Sequence, residues 1–287
     1  MAKISKNSRE LYKFRQAFSL VEISVVILII GILITGISSG IDLYSDFRIA
    51  NARNLTASSR VGRISDLALW VEATSEKSFS KSEAKDGKVV NAWFDIGIQS
   101  IDKPILSASG NKAVFKEKVL NSLPALYFNG SGWFEVQHLS SVNLNNKKTY
   151  FVVLQTTSTQ RNYVYDNSSC TQNAFIINSQ NGGGGQLYSG QSIDFGIFFI
   201  NRPYIVSIFH NDSSSFFRYN GFESTKSNAG TNPMQSLTRL GASCVASSNT
   251  ENFIGYIGEF IMFDRVLNSK EYLDIETYLS KKWSIKI

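Results

Sequence analysis

Residues 15–37 read RQAFSLVEISVVILIIGILITGI, and within this apolar run the carboxylate of Glu22 is the feature to explain. From 23 to 41 no side chain is charged, and Val, Ile and Leu dominate. A helix of that length, at about 1.5 Å per residue, comes close to the thickness of a hydrocarbon core. A charged side chain at the bilayer centre costs roughly 2.5–3.5 kcal/mol, less near an interface. A cleaved secretory signal has a shorter core and a small-residue site beyond it, for which Ser38-Ser39-Gly40 is a loose candidate. A plain uncleaved anchor accounts for the length. Neither accounts for the acid, except as a side chain snorkelling to the headgroups.

Ahead of Phe18 lie Lys3, Lys6, Arg9, Lys13 and Arg15 against Glu10, so this stretch carries +4 of the chain's net +6. Basic flanks stay cytoplasmic, so everything after Ile41 is expected to face outward. The remaining 270 residues hold little basic excess and no dense basic block, so a nucleic-acid partner is not expected.

The short basic leader, Ala17-Phe18, then Phe18-Ser19-Leu20-Val21-Glu22 and the run through Gly31-Ile32-Leu33 resemble the type IV pilin family, including type II secretion pseudopilins. The resemblance covers roughly the first fifth of the chain. It implies that a prepilin peptidase cuts between Ala17 and Phe18 and N-methylates Phe18; Ala17 stands where the family normally has Gly. It also implies a single pass through a bacterial inner membrane with the body in the periplasm, and assembly with other pilin or pseudopilin subunits, in which Glu22 pairs with the terminal amine of a neighbour. Paired charges are tolerated in an apolar core where a lone one is not, so the acid would set register.

Beyond Ile41, Leu43, Phe47, Ala50, Asn54, Ala57, Val61 and Ile64 recur at steps of four and three. This spacing predicts one long helix over 18–66, lipid- or filament-facing over 18–41 and packed on the body along that stripe. From Leu67 short apolar or alternating runs follow, separated by Gly, Asn, Ser and Asp clusters, with expected strands such as 149–155, 174–178, 193–200, 204–210 and 253–263. With 20 Phe, 12 Tyr and 4 Trp the composition suits packed sheets. Asn181-Gly182-Gly183-Gly184-Gly185 reads as a flexible loop without the ending of a phosphate loop. Asn268 and Glu271 fit a capping box, opening a closing helix with Tyr272, Ile275, Leu279 and Trp283 on one face.

The body resembles concanavalin-A-like, laminin-G-like jelly rolls in Leu69-Trp70-Val71-Glu72-Ala73, Trp93-Phe94-Asp95, the run from Leu123 to Ser131, Tyr150-Phe151-Val152-Val153-Leu154 and Gly255 through Leu267. The class is therefore α+β: a leader at 1–17, the pilin-like helix at 18–66, and an all-β jelly-roll sandwich with a short C-terminal helix at 67–287.

No catalytic residues are assigned. Glu259 and Asp264 differ by five, so on a regular strand they face opposite sides, and glycoside hydrolysis needs two carboxylates across one bond. Metal-ligand spacing is absent, and no metal or cofactor is assigned; Asp166, Asn167 and Asp212 offer oxygen ligands for calcium but read as turn residues. If the body is exported, Cys170 and Cys244 are economically read as one disulfide; if it is cytosolic, they are two buried thiols. Trp133, Tyr163, Tyr165 and Tyr188 flank polar loops and are the candidates to stack on a sugar ring, with core packing as the competing reading. A glycan or protein ligand at the cell surface is thus the expected partner. The alternative functions are a lectin-like module on a plain membrane anchor that builds no filament, and a secreted enzyme.

Overall fold

The computed structural model describes residues 19–97, 105–137, 145–167, 170, 173–178, 184–235, 237–245 and 251–287. The leader and Phe18 lie outside the described residues. Two compact units are present, 1–44 and 45–287. Helix α1 (Leu20–Ser58) runs unbroken through both sequence ranges, Gly31, Gly36 and Gly40 included. In the first unit Leu20–Ile37 has a mean hydropathy of 2.8, and none of its residues is buried.

In the second unit the helix is part of the body. It ends at Ser58, earlier than the expected 66. Thr56 and Ser58 return their hydroxyls to the carbonyls of Ala52 and Asn54, and the Ser59 N–H turns back three residues to Thr56. A short 3-10 turn, Val61–Arg63, then delivers buried Val61 and Ile64 into the core. The expected packing stripe is also corrected. Ser45 and Ala52 are buried, with Ile49, Leu55 and Thr56 partly so, whereas Phe47 is 66% exposed and Ala50, Asn54 and Ala57 are exposed too. At 100° per residue those two sets lie about half a turn apart. Small Ser45 and Ala52 let the axis approach the sheet, and Arg48 and Arg53 fix the rotation by donating to the carbonyls of Asn121 (3.1 Å) and Thr74 (2.9 Å). Apolarity alone chose the wrong face.

Sixteen strands follow among the described residues. They begin with β1 (Leu67–Glu72), β2 (Ala92–Phe94), β3 (Ile105–Gly110), β4 (Val114–Leu120), β5 (Leu123–Asn129) and β6 (Gly132–Gln137). Next come β7 (Lys148–Thr156), β8 (Arg161–Asn167), β9 (Ala174–Asn178), β10 (Gly185–Tyr188) and β11 (Ser192–Phe195). The set closes with β12 (Tyr204–His210), β13 (Phe216–Tyr219), β14 (Phe222–Glu223), β15 (Leu237–Leu240) and β16 (Ile254–Phe263). The expected strand over 193–200 stops at Phe195. The expected glycine loop is in part a strand: Gly185 opens β10, where a Cβ would meet the Phe195 ring at 2.3 Å; 181–183 lie outside the described residues.

The strands form two eight-stranded antiparallel sheets. The first runs β14-β13-β12-β7-β16-β5-β4, with β1 paired to β16 beyond the end of β5. The second runs β11-β10-β9-β8-β15-β6-β3-β2. This is the jelly-roll sandwich. Strand β7 shows why the first sheet is the middle layer. Tyr150, Val152 and Leu154 enter the core between the sheets, while Phe151 and Val153 enter a second core on the other face. A sheet apolar on both faces must be covered on both. The second sheet covers one; α1 from Ser45 onward and α2 (Ser269–Trp283) cover the other.

Helix α2 starts on the expected capping box: Asn268 accepts from the Glu271 N–H, and Glu271 accepts from the Asn268 N–H. Trp283 packs so close to β16 that a Cβ at Gly258 would meet its ring at 2.4 Å. Under this helix Glu72, Glu259 and Lys282 are all but inaccessible. The Lys282 ammonium lies 3.0 Å from Glu72 and 2.9 Å from Glu259. Glu259 also accepts from the indoles of Trp70 and Trp283 and the hydroxyl of Tyr278, each at 2.8 Å. Removing one partner of such a group strands buried charge, at about 3–5 kcal/mol. Lys282→Met is therefore expected to lower the stability of the full chain by about that much in urea unfolding; an unchanged midpoint would show that the cluster is not holding the outer layer.

Candidate functional site

At the amino terminus, Ser19 precedes the first helical residue. Its N–H donates to the Glu22 carboxylate at 2.8 Å, and its hydroxyl accepts from the Val21 N–H at 3.3 Å. Glu22 thus meets the helix's need for an acceptor in its first turn while remaining exposed on the helix surface. The acid has a local partner within its own chain.

The body's candidate site lies on the outer face of the second sheet. Cross-strand register places the side chains: Gln186 is opposite Ile176 and Asp194, Tyr163 is opposite Ile176, and Arg239 is opposite both Asp166 and Glu135. One outward band therefore runs across six strands, with Tyr188 and Gln186 on β10 and Arg161, Tyr163 and Asp166 on β8. Within it a depression of about 150 Å³ is lined by Arg161, Tyr163, Asp166, Gln186, Tyr188 and Ser192 among others, with Cys170 at its edge. Cys170 and Cys244 form a disulfide there.

Two of the four aromatic candidates, Tyr163 and Tyr188, meet in this depression. Trp133 shares the face but sits on β6, two strands from β8, where its indole donates to Glu135 at 3.3 Å. Tyr165 is corrected to a core residue. A bulge between Tyr163 and Tyr165 breaks the period of two and turns Tyr165 inward. There it is fully buried, stacked on Tyr150 at 4.6 Å and hydrogen-bonded to His210 at 3.1 Å.

The polar members are held in place. Arg161 pairs with Glu251 at 2.6 Å, donates to Gln186 at 3.2 Å and lies 4.9 Å over the Tyr163 ring. Gln186 donates in turn to Asp194 at 2.8 Å. Asp166 accepts from the backbone N–H groups of Asn167 and Cys244, both at 2.8 Å, so the disulfide's second cysteine also orients this acid. Burial nevertheless pushes the Asp166 carboxyl up to about 6, against those two hydrogen bonds. Sequence reading missed Arg161 and Gln186; the alternation Arg161, Tyr163 was the available signal. The calcium candidates do not converge. Asn167 turns inward to Thr238 and Asn173, and Asp212 pairs with Asn146 and Lys147. Glu259 and Asp264 are likewise engaged elsewhere, Asp264 with buried Lys148 at 2.8 Å.

Comparison with known proteins bears on both regions. Residues 12–38 match the prokaryotic N-terminal methylation motif. Together with the apolar helix, this motif marks a single-pass membrane anchor with a type IV pilin-like amino terminus, and points to a pilin- or pseudopilin-type subunit. No curated protein sequence matches the chain. Among solved structures, the receptor-binding domain of botulinum neurotoxin mosaic serotype C/D is similar at a TM-score of 0.52 and 12% identity, covering 77% of this chain and 52% of that one. The binding domain of botulinum neurotoxin DC gives 0.50 at 13% identity, covering 75% and 51%. Trypanosoma rangeli sialidase gives 0.51 at 12% identity, covering 76% and 33%. The chain thus spans about half of the neurotoxin domains and a third of the sialidase. These likenesses establish the jelly-roll fold.

Two buried groups titrate in opposite senses. An unfolded Asp titrates near 3.9, so the folded chain holds an extra proton on Asp166 between there and about 6. That contribution is complete below about pH 4 and is lost, at about 3 kcal/mol, as pH rises through 6. His210 is held down to about 3 by burial and by the Lys148 charge, so its contribution is present above about 6.5 and is lost as pH falls toward 3. NMR titration of the full chain is expected to place the Asp166 midpoint near 6 and to keep the His210 ring neutral at pH 5. An Asp166 midpoint near 4, or a charged His210 at pH 5, contradicts the burial.

Proposed function

We propose that this chain is a pilin-like subunit, minor in number, of a type IV pilus or type II secretion pseudopilus. A prepilin peptidase cuts it between Ala17 and Phe18 and methylates Phe18, and it displays a jelly-roll domain that binds a glycan. The methylation motif over 12–38, with Glu22 in the first turn of α1, carries this reading. In assembly the Glu22 carboxylate takes the terminal ammonium of a neighbouring subunit as its counter-charge, and burial of the exposed apolar helix drives packing. The bulk of the body favours a minor or tip position.

For the displayed domain, Tyr163 and Tyr188 offer ring faces, and Arg161, Gln186 and Ser192 surround them with hydrogen-bonding groups. Stacking plus oriented polar contacts is the pattern that holds a sugar. Two neighbours were solved with such ligands by their descriptions: the neurotoxin DC binding domain with SialylT, and the T. rangeli sialidase with sialic acid. We read the domain as non-catalytic, because Glu259 and Asp264 are committed to structural partners. In a second reading, favoured by the capping contact of Glu22 within its own chain, the protein is a membrane-anchored binding module that builds no filament.

Intact-mass analysis of the membrane-extracted protein separates the two. A start at methylated Phe18 is expected, with glycan-array binding by the mature protein that Tyr163→Ala abolishes. A start at Met1 overturns the pilin reading, and unchanged binding in the variant overturns the site.

A further inference from the structure

Segment 196–203 joins β11 to β12, and it exposes apolar side chains by construction. Phe198 is buried, within 4.7–6.2 Å of the rings of Tyr204, Phe195, Tyr219 and Phe175. The Phe199 N–H donates to the Tyr204 hydroxyl at 3.0 Å, and the Asn201 N–H to the Thr156 carbonyl at 2.8 Å. Gly196 has a φ of +53°, and a Cβ there would meet the Tyr219 ring at 2.8 Å. With the segment pinned at these points, Ile197, Phe199 and Ile200 project outward, 48%, 56% and 41% exposed. Phe222, on the hairpin beyond Tyr219, is 59% exposed. Between the segment and that hairpin lies an open cleft of about 590 Å³ floored by Tyr204 and Tyr219.

Charge indicates what covers it. Arg202 is the single charged residue lining the cleft, its guanidinium 5.7 Å from the Tyr204 ring, with no ion pair among the described residues. No acid lines the cleft, and Glu223 beside Phe222 is already paired with Arg218 at 2.6 Å. A small ligand in the open cleft would leave Ile200, which does not line it, in water, whereas a bilayer interface covers the whole projection at once. A guanidinium pairs bidentately with phosphate while its stem lies along apolar surface. We propose that segment 196–203 and the hairpin tip at Phe222 form a docking surface for an anionic lipid bilayer. Ile197, Phe199, Ile200 and Phe222 enter its interfacial region, and Arg202 engages a headgroup phosphate. This surface is separate from the outer face of the second sheet and does not depend on the glycan reading.

The test uses the full chain carrying Phe199→Trp, held in zwitterionic nanodiscs by its own helix. Separate vesicles with brominated acyl chains are then added, of phosphatidylglycerol or of phosphatidylcholine, and emission is read as the difference from wild type. Bromine in the anionic vesicles is expected to quench the introduced indole at least twofold. Phosphatidylcholine vesicles, or the added change Arg202→Glu, should reduce that quenching several-fold, and Ile197→Asp should abolish it. Ile200→Trp serves as the reporter if Phe199→Trp unfolds, with thermal melting as the check. Unquenched emission with anionic vesicles overturns the proposal. So does quenching indifferent to headgroup charge and to Arg202, or a blue shift that follows protein concentration without vesicles, which would mean that a second copy covers the surface.

Discussion

The structure depends on a sheet that is apolar on both faces. Strand β7 carries Tyr150, Val152 and Leu154 to one side and Phe151 and Val153 to the other, and its neighbour β16 divides its residues in the same way. No arrangement of two sheets alone satisfies such strands. The outer face requires a third layer, which α2 and the last turns of α1 supply together. A helix that begins as a membrane anchor therefore ends as a structural part of the jelly-roll domain, with Ala52 on the sheet and Arg53 tied to Thr74 and Glu76.

This construction suits the proposed role. A domain displayed at the end of a plain tether could fold and bind without reference to its anchor. Here the outer core is incomplete without residues from Ser45 onward. The Glu72–Lys282–Glu259 cluster adds selectivity to that layer, because its charges tolerate burial only when α2, β1 and β16 are together. The hydroxyl contact at 3.2 Å between Thr56 and Tyr278 connects α1 to the same cluster. The candidate binding face, by contrast, is on the second sheet, where Tyr163, Gln186 and Tyr188 bear none of this packing load.

Much of this was legible in the sequence where the local signal was strong. Strands β9 and β12 have the expected limits, and the capping box at Asn268 and Glu271 forms as its spacing implied. What failed did so where tertiary contact overrides pattern. The helix face of α1 was misplaced because two small residues and two arginines outrank Leu43 and Phe47 in choosing which side meets the body. Tyr165 was misassigned because a bulge breaks alternation, which no count of apolar residues reveals. Strands β8, β10 and β15 carry polar or glycine residues outward, so their periodicity was weak, and the candidate site is built largely on them. The buried charge cluster joins residues far apart in sequence and left no local trace.

The central claim is that the last turns of α1 belong to the body's cooperative core. Native-state amide hydrogen exchange on the full chain tests it directly. The account predicts that amides of 49–58 exchange with the same high protection, and the same denaturant dependence, as those of β7, β16 and α2. Exchange of 49–58 at the rate of a fraying helix end, while β7 and β16 stay protected, would contradict it.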